Sequence, residues 1–353
     1  MGLNSRILAI STHAAGGCMY YSNRILENLH LPKEVVLSHK MEEPMPEYKS
    51  WTIKYANYNI ITRSASFLYS IIRILAGLCI GRYSCLILFG VSTWDYYYLK
   101  LWGMTRLPSY VVIHDGKMHT GESHKKTQKQ IVSMMQCATH LIFLSEYVKN
   151  LVKDNFGISK SSCIVPHGLI DYGKLPAVHK QSEKITLLFL GRVSKYKGVD
   201  ILLDAIAKVP EDLYDKLIIA GKWNYKNTTE YNHNKVKIID KWLSDNEIPH
   251  YIAESDIMVF PYTEASQSGV ATLAINYLKP SIVTEVGALS EQFNDKAAFF
   301  IRPYSEDLAK AIIYLSEHLT NLNTMKEELK KLKAIYSWEN IADKLSDFLT
   351  DFN

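Results

Sequence analysis

Short apolar runs alternate with longer amphipathic stretches along the whole chain. The runs are of strand length, whereas the stretches between them repeat their apolar residues at helical spacing. This alternation predicts an α/β protein whose parallel sheets are joined by right-handed helical crossovers. The predicted strands are residues 7–11, 35–38, 85–89, 110–113, 140–144, 163–166, 185–190, 216–220, 236–239, 256–260 and 281–284. The clearest predicted helices are residues 22–29, 128–136, 146–155 and 198–208.

One break in this alternation divides the chain into two halves of similar size. The break contains Gly173, Pro176 and several charges but no apolar periodicity, which is typical of a linker. The 353 residues also exceed what one ordinary core organises. The predicted divisions are an N-terminal domain at 1–170, a linker at 171–183, a second domain at 184–335 and a final amphipathic helix within 336–353.

The composition is that of a globular protein with a mild positive charge, since 47% of residues are hydrophobic and the net charge is +4. The chain contains no lysine- or arginine-rich block of the kind that binds nucleic acid. The apolar run at 7–10 is too short for the core of a signal peptide. The cysteines lack metal-ligand spacing, so we expect buried thiols in a reducing, cytoplasmic compartment. They are Cys18, Cys79, Cys85, Cys137 and Cys163.

The most apolar segment, residues 64–90, predicts a core helix followed by a strand. Arg73 and Arg82 interrupt it, whereas a membrane-spanning helix needs about twenty uninterrupted apolar residues. A second interpretation is that residues 67–75 contact an anionic membrane from one side, together with the nearby cations His124, Lys125, Lys126 and Lys129. The protein would then be peripheral at the inner face of the membrane.

A basic loop follows the apolar run 185–190. Gly191 ends the run, and Arg192, Lys195 and Lys197 follow before a helix opens near Gly198. Helix-start N–H groups and cations together can hold a diphosphate, since Arg binds two oxygens in a fork and Lys adds point charge. A solvated basic turn is the alternative for this loop taken alone.

Ionisable residues and glycines also follow other predicted strands. Because ligands of open α/β sheets bind beyond the carboxyl ends of the strands, these residues are candidates for one binding edge in each sheet. Each has a structural alternative: a βα turn for the glycines, a core histidine for His114, and caps for Asp115 and Glu264. The candidates are His13, Gly16, Gly17, His114, Asp115, His119, Glu122, Pro261, Tyr262, Glu264, Ser268 and Gly269.

Four motifs in the C-terminal half carry a family resemblance. They are Gly191-Arg-Val-Ser-Lys-Tyr-Lys-Gly198, residues 255–262, Glu264-Ala-Ser-Gln-Ser-Gly-Val270 and Val286-Gly-Ala-Leu-Ser-Glu291. In the N-terminal half the matching segments are Gly16-Gly17, 113–115 with 119–122, and 166–168. Together they resemble the family-4 retaining glycosyltransferases (glycosyl transferases group 1). The resemblance implies the GT-B architecture, in which two Rossmann-like domains with parallel sheets face a central cleft and the final helix crosses back to the first domain.

The resemblance also implies roles for particular residues. Arg192 and Lys197 would hold the diphosphate of a nucleotide-sugar donor, which the backbone at Gly16 and Gly17 would approach from the other domain. His114 would lie against the transferred sugar, and Glu264 would bind sugar hydroxyls. Backbone N–H groups near Ser268, Gly269 and Val270 would meet phosphate, and Asp115, His119 and Glu122 would lie on the acceptor side.

One family position departs from the pattern. The family has a second glutamate that binds the nucleotide ribose, whereas Thr272 stands there in this chain and would be the donor-binding residue at that position. Because of this departure, one alternative function is a catalytically silent subunit that supports a partner enzyme. Another alternative is a phosphorylase or epimerase of the same architecture. The chain contains no Asp-x-Asp motif, and Arg and Lys supply the charge that a divalent ion would otherwise neutralise.

The prediction is therefore a metal-independent, retaining hexosyltransferase without a cofactor. Its donor would be a nucleoside-diphosphate sugar, and its acceptor a hydroxyl of a glycan or a lipid-linked glycan in surface polysaccharide assembly. Catalysis would rest on electrostatic stabilisation of the leaving diphosphate.

Overall fold

The computed structural model describes residues 6–42, 48–55, 57–118, 125–178, 182–225 and 233–351. They form two compact units. The first contains the described residues of 6–118, 125–167 and 338–351, and the second contains those of 168–337. Each unit is a parallel sheet with helices, which confirms the predicted fold class.

The first unit is built on a seven-stranded sheet. Its strands are β1 (Arg6–Ser11), β2 (Lys33–Ser38), β3 (Ser50–Ile53), β4 (Tyr83–Leu88), β5 (Ser109–Ile113), β6 (His140–Phe143) and β7 (Ser162–Ile164). All neighbouring strands are parallel, in the order β3-β2-β1-β4-β5-β6-β7. Ile10 of the central β1 lies opposite Val36 of β2 and Leu88 of β4. The short edge strand β3 was not among the predicted strands.

Six helices with described residues belong to the first unit. They are α1 (Gly16–Asn28), α2 (Ile60–Cys79), α3 (Thr93–Trp102), α4 (Lys125–Cys137), α5 (Glu146–Phe156) and α12 (Trp338–Thr350). The last of these, α12, packs against α1 and β7. The predicted start of α1 at Ser22 was wrong by six residues. Ser22 is buried inside the helix, where its hydroxyl donates to the Met19 carbonyl (2.9 Å), so it does not cap the N-terminus.

The prediction of a core helix was wrong for α2, which lies mostly on the surface. A helix and a following strand do form, but only Ser70, Ile74 and Gly77 of α2 are buried. By length and composition, α2 is the one helix among the described residues that could cross a membrane. Cys79 at its end is exposed, as is Cys137 at the end of α4, so the expectation of buried thiols was wrong for these two cysteines.

The second unit is built on a six-stranded parallel sheet. Its strands are β8 (Ile185–Leu190), β9 (Tyr214–Ala220), β10 (Val236–Ile239), β11 (Ile257–Phe260), β12 (Ser281–Thr284) and β13 (Ala298–Ile301). Their order is β10-β9-β8-β11-β12-β13, and Leu187 of β8 lies opposite Leu217 of β9 and Ile257 of β11. The helices are α6 (Val199–Ile206), α7 (Ile248–Glu254), α8 (Gly269–Asn276), α9 (Leu289–Gln292), α10 (Ser305–Glu317) and α11 (Thr320–Ile335).

The described part of the predicted linker belongs to the second unit, and the boundary between the units falls between His167 and Gly168. The backbone N–H of Tyr172 donates to the Tyr277 hydroxyl (2.7 Å), which in turn lies 3.0 Å from the Asp171 carboxylate. These bonds tie the segment to the C-terminal end of α8.

Candidate functional site

Two loops adjoin each other at the switch point of the second sheet, where the strand order reverses. After β8, the chain adds β9 and β10 on one side of that strand and then β11, β12 and β13 on the other. The carboxyl ends of β8 and β11 therefore flank a crevice of the kind in which open α/β sheets bind ligands. The loop after β8 carries Arg192 and Lys197, and the loop after β11 carries Glu264. Three predicted site residues thus lie on the two loops that flank one switch point.

The loop after β8 holds Lys197 against the end of the strand. Gly191 has φ 108°, and a Cβ at this position would lie 3.0 Å from Val270 Cγ2 and 3.5 Å from Lys197 Nζ. The same ammonium lies 5.1 Å from the centroid of the buried Tyr262 ring. Lys197 is therefore half-buried beside the first turn of α8, whereas Arg192 and Lys195 are exposed.

The two loops are locked together through their backbones. The Tyr196 carbonyl accepts a hydrogen bond from the Thr263 N–H (2.7 Å). Gly198 has φ 65°, and a Cβ there would overlap the carbonyl oxygen of Pro261. Only glycine allows this approach without displacing the backbone. The positions of the cations after β8 are thereby tied to the loop that carries Glu264.

The start of α8 is fixed by a buried amide side chain. The Ser268 N–H donates to Gln292 Oε1 (2.8 Å), and Gln292 Nε2 donates back to the Ser268 carbonyl (3.1 Å). Ser268 caps the helix, its hydroxyl accepting from the Ala271 N–H (3.3 Å). Gly269 and Val270 form the half-buried first turn, where helix N–H groups favour an anion. The sequence analysis missed Gln292, which lies one residue beyond the motif 286–291 and carries no charge.

Thr272 lies away from any open surface. Its side chain is fully buried, and its hydroxyl donates to the Gly269 carbonyl (2.8 Å) and accepts from the Ile170 N–H (3.2 Å). The structure gives Thr272 a role in packing α8 against the segment after the unit boundary.

In the first unit, the loop after β1 leads into the start of α1, where the Gly16 N–H donates to Glu42 Oε2 (3.4 Å). Ala15 is the N-cap residue of α1 without a side-chain hydrogen bond, and Gly16 and Gly17 are its exposed first residues. A Cβ at either glycine would meet no atom within 4 Å. The space around both glycines is open, and their contact with a donor remains a prediction.

His114, at the end of β5, is a half-buried histidine with an unsatisfied ring nitrogen. Its Nε2 is shielded and has no hydrogen-bond partner among the described residues. The ring packs on Tyr21 (5.1 Å between centroids) and His13 (6.4 Å). Burial, with His13 and His167 nearby, lowers the pKa of His114 to about 3 although Asp115 opposes this. The imidazole is therefore neutral at physiological pH, and Nε2 can serve a polar ligand.

This lowered pKa predicts an acid dependence of stability. His114 stays neutral in the folded protein while the unfolded chain protonates it near pH 6.5, so stability is lost as the pH falls from about 6.5 towards 3. One such group contributes up to about 1.4 kcal/mol per pH unit. We expect His114→Gln to flatten the slope measured by urea unfolding at pH 7, 5.5 and 4.5. Exposed His250→Gln should leave it as in the wild type; an unchanged slope in H114Q would contradict the assignment.

A buried carboxylate joins the loops after β1 and β4. Asp95 Oδ2 accepts from the Thr12 hydroxyl (2.8 Å) and from the Ser92 N–H (2.8 Å). Burial raises the pKa of Asp95, although these hydrogen bonds oppose it. Gly90 lies so close that a Cβ would come within 2.6 Å of Asp95 Oδ2. Sequence reasoning missed Asp95 because it stands inside a helix rather than at a strand end.

The predicted acceptor-side residues are only partly described. Asp115 is half-buried and close enough to Cys18 to contribute, after burial, to raising the pKa of that thiol to about 12. His119 and Glu122 lie outside the described residues, and their placement stays a prediction.

Comparison with known proteins finds a family match within the second unit. Residues 184–318 match the family model described as Glycosyl transferases group 1. A curated relative, an uncharacterized 41.2 kDa protein in the cps region of Klebsiella pneumoniae, is 26% identical over 227 residues, or 60% of this chain. The matched part spans 61% of that relative.

Solved structures share the fold over nearly the whole chain. Sucrose-phosphate synthase from Thermosynechococcus elongatus superimposes with a TM-score of 0.75 at 15% identity, covering 99% of both chains. Anabaena HepE in complex with UDP and glucose superimposes with a TM-score of 0.73 at 16% identity, covering 99% of this chain and 100% of its own. These likenesses confirm the predicted GT-B fold class.

Proposed function

We propose that the chain, whose residues 184–318 match the family model described as Glycosyl transferases group 1, transfers a sugar from a nucleoside diphosphate to an acceptor hydroxyl. The observation that carries the proposal is the switch point of the second sheet. There, Arg192 and Lys197 follow β8 while Glu264 and the first turn of α8 follow β11. Cations, helix N–H groups and one carboxylate are what a phosphate and a sugar require on neighbouring subsites.

The chemistry would depend on stabilising the leaving group. The acceptor oxygen bonds to the anomeric carbon while the bond from that carbon to the diphosphate oxygen breaks. The acceptor proton passes to the departing diphosphate, whose negative charge Arg192 and Lys197 stabilise. We propose retention of configuration through attack on the same face. The two cations supply the charge that a divalent ion supplies elsewhere, so we propose that no metal is needed.

The acceptor and its setting are also proposals. A relative encoded in the cps region supports a role in surface polysaccharide or lipid-linked glycan assembly. The structure of HepE with UDP and glucose supports a nucleoside-diphosphate hexose as donor. We place this activity in the cytoplasm, at the inner face of the membrane when the acceptor is lipid-linked.

Ligand-induced stabilisation tests the donor assignment. A nucleoside diphosphate at one hundred times its dissociation constant should add about 2.7 kcal/mol to the stability of the folded state. We expect UDP, GDP or ADP, at millimolar concentration, to raise the melting temperature in a scan without metal. Absence of any shift with all three, together with no heat of binding in calorimetry, would contradict a nucleotide-sugar site.

We expect Glu264→Gln to separate sugar recognition from nucleotide binding. The amide keeps the shape but loses the charge, so turnover should fall about tenfold to a hundredfold, the value of a charged hydrogen bond. Calorimetry with the free nucleoside diphosphate should give wild-type affinity. Glu285→Gln, an exposed carboxylate at the end of β12, is the matched control. An equal loss of nucleotide affinity in E264Q would assign Glu264 to the nucleotide instead.

A catalytically silent subunit is the second candidate, and the burial of Thr272 favours it. The hydroxyl at this position is engaged inside the unit, whereas the family places a ribose-binding glutamate there. Donor hydrolysis by the isolated chain separates the two candidates, since a silent subunit would bind without turnover.

A further inference from the structure

The outward face of α2 is an apolar stripe without a charged side chain. Its exposed residues recur at helical spacing over the full length of the helix, about 30 Å at 1.5 Å per residue. The large apolar members are Ile60, Ile61, Leu68, Tyr69, Ile72 and Leu75, with Ile80 just beyond the end; Ile61 is 79% exposed. The exposed small members are Ser64, Ala65, Ala76 and Cys79. A surface helix of a soluble domain normally shows the reverse pattern.

The opposite face of α2 is anchored in the first unit, so the helix lies on the unit rather than crossing a bilayer. The Ser70 hydroxyl bonds the Tyr98 hydroxyl (2.6 Å), and the Phe67 ring lies 4.8 Å from the Trp94 ring. Gly77 is packed so tightly on Tyr83 that a Cβ would overlap its ring. These contacts orient the stripe outwards.

Cations flank the stripe, and α2 contains no acidic residue. Arg73 and Arg82 both reach the buried Glu34 (3.4 and 3.5 Å), which leaves one positive charge in excess. Arg63 lies over the Tyr55 ring (5.2 Å) near the N-terminal end of the helix. An apolar strip bordered by guanidinium groups and tyrosines fits the boundary between acyl chains and anionic headgroups.

The N-terminal end of α2 lies near the binding edge of the first sheet. A cavity of about 270 Å³ there is lined by Arg63, Phe67, Trp94 and Tyr97, among others. Trp94 belongs to the first turn of α3, the helix that follows the carboxyl end of β4. His114 follows β5, the neighbour of β4, at the same edge of the sheet.

We propose that the α2 stripe docks the protein on the surface of an anionic lipid bilayer. The docking itself is independent of the proposed function; only its purpose, which is to bring a lipid-linked acceptor to the sheet edge that carries His114, rests on that function. A bilayer fits better than a second copy of this chain, since a symmetric contact would bring the same arginines together. His124 lies outside the described residues, as do the side chains of Lys125 and Lys126. The proposal therefore uses none of these three cations.

Vesicle flotation tests the docking surface. The full-length chain should float with phosphatidylcholine vesicles containing phosphatidylglycerol, and less with pure phosphatidylcholine or at high salt. Leu68→Gln with Ile72→Gln should lower the partition coefficient by about tenfold or more, because each change removes exposed apolar area from the stripe. Leu319→Gln with Ile335→Gln, two exposed apolar residues of the second unit, should change nothing. Arg63→Gln should reduce the preference for anionic over neutral vesicles.

Three results would overturn the proposal. The wild type could fail to float with anionic vesicles, or L68Q/I72Q could float like the wild type. Light scattering without lipid could instead show a dimer that L68Q/I72Q dissociates, which would assign the stripe to a second copy. Release of nucleoside diphosphate in the absence of vesicles should be equal in the wild type and in L68Q/I72Q. If the proposed function is wrong, only the release assay gives a negative result. If the docking surface is wrong, only the flotation assay does.

Discussion

Replacing Arg192 by Ala is expected to lower the turnover of sugar transfer by about two to four orders of magnitude. The guanidinium is exposed just beyond the buried strand β8, where it can bind two oxygens of a diphosphate as charge develops on the leaving group. Lys197→Met should have a comparable effect. Methionine keeps an unbranched side chain of similar length and removes the ammonium that lies over the Tyr262 ring.

Lys195→Ala is the matched control, since it removes the same charge from the same loop. The Lys195 side chain is exposed and three residues from Arg192, so its loss should change turnover by no more than a few-fold, the effect of an exposed charge. Because Arg192 and Lys197 would bind one group, the effects of their replacements should not add. Near wild-type turnover in both R192A and K197M would place the diphosphate elsewhere.

Gly198→Ala should destabilise the second unit by about 3 kcal/mol or more. Part of the cost is the left-handed backbone, and the larger part is the overlap of the new Cβ with the Pro261 carbonyl. Gly157→Ala isolates the first part, because Gly157 has φ 64° and open space around it. That control should cost only about 1 to 2 kcal/mol.

Differential scanning calorimetry checks the pair. At about 2–4 °C per kcal/mol for a unit of this size, G198A should lower the transition midpoint several degrees further than G157A. Equal shifts in the two variants would show that the loops after β8 and β11 are not locked in the way described.

Strands buried on both faces could be predicted closely from the sequence. Residues 185–190 and 281–284 form fully buried strands with the predicted bounds, because a mainly apolar run ended by glycine or a charged residue has few other structures. The edge strands β3 and β13 were missed, since Ser50–Ile53 and Ala298–Ile301 are short and only half-buried. The positions of Arg192, Lys197 and Glu264 at one switch point followed from the rule on carboxyl ends.

Tertiary packing decided the features that the sequence left unpredicted. The apolar composition of α2 suggested a core helix, but the first unit buries only a narrow strip around Ser70 and Ile74. Gln292 and Asp95 act through contacts with residues 24 and 83 positions away, which no local pattern records. Thr272 was expected beside the donor because of its position in a motif, whereas its hydroxyl bonds the backbone within the unit.

The most direct test of the account is release of nucleoside diphosphate from a panel of UDP-, GDP- and ADP-hexoses in the presence of EDTA. We predict that the wild type releases the nucleoside diphosphate from one donor class and that the control variant K195A does so within a few-fold of the wild-type rate. R192A and K197M should be slower by orders of magnitude. Release from none of the donors, or release that R192A and K197M leave unchanged, would contradict the assignment of the loop after β8 as the diphosphate site.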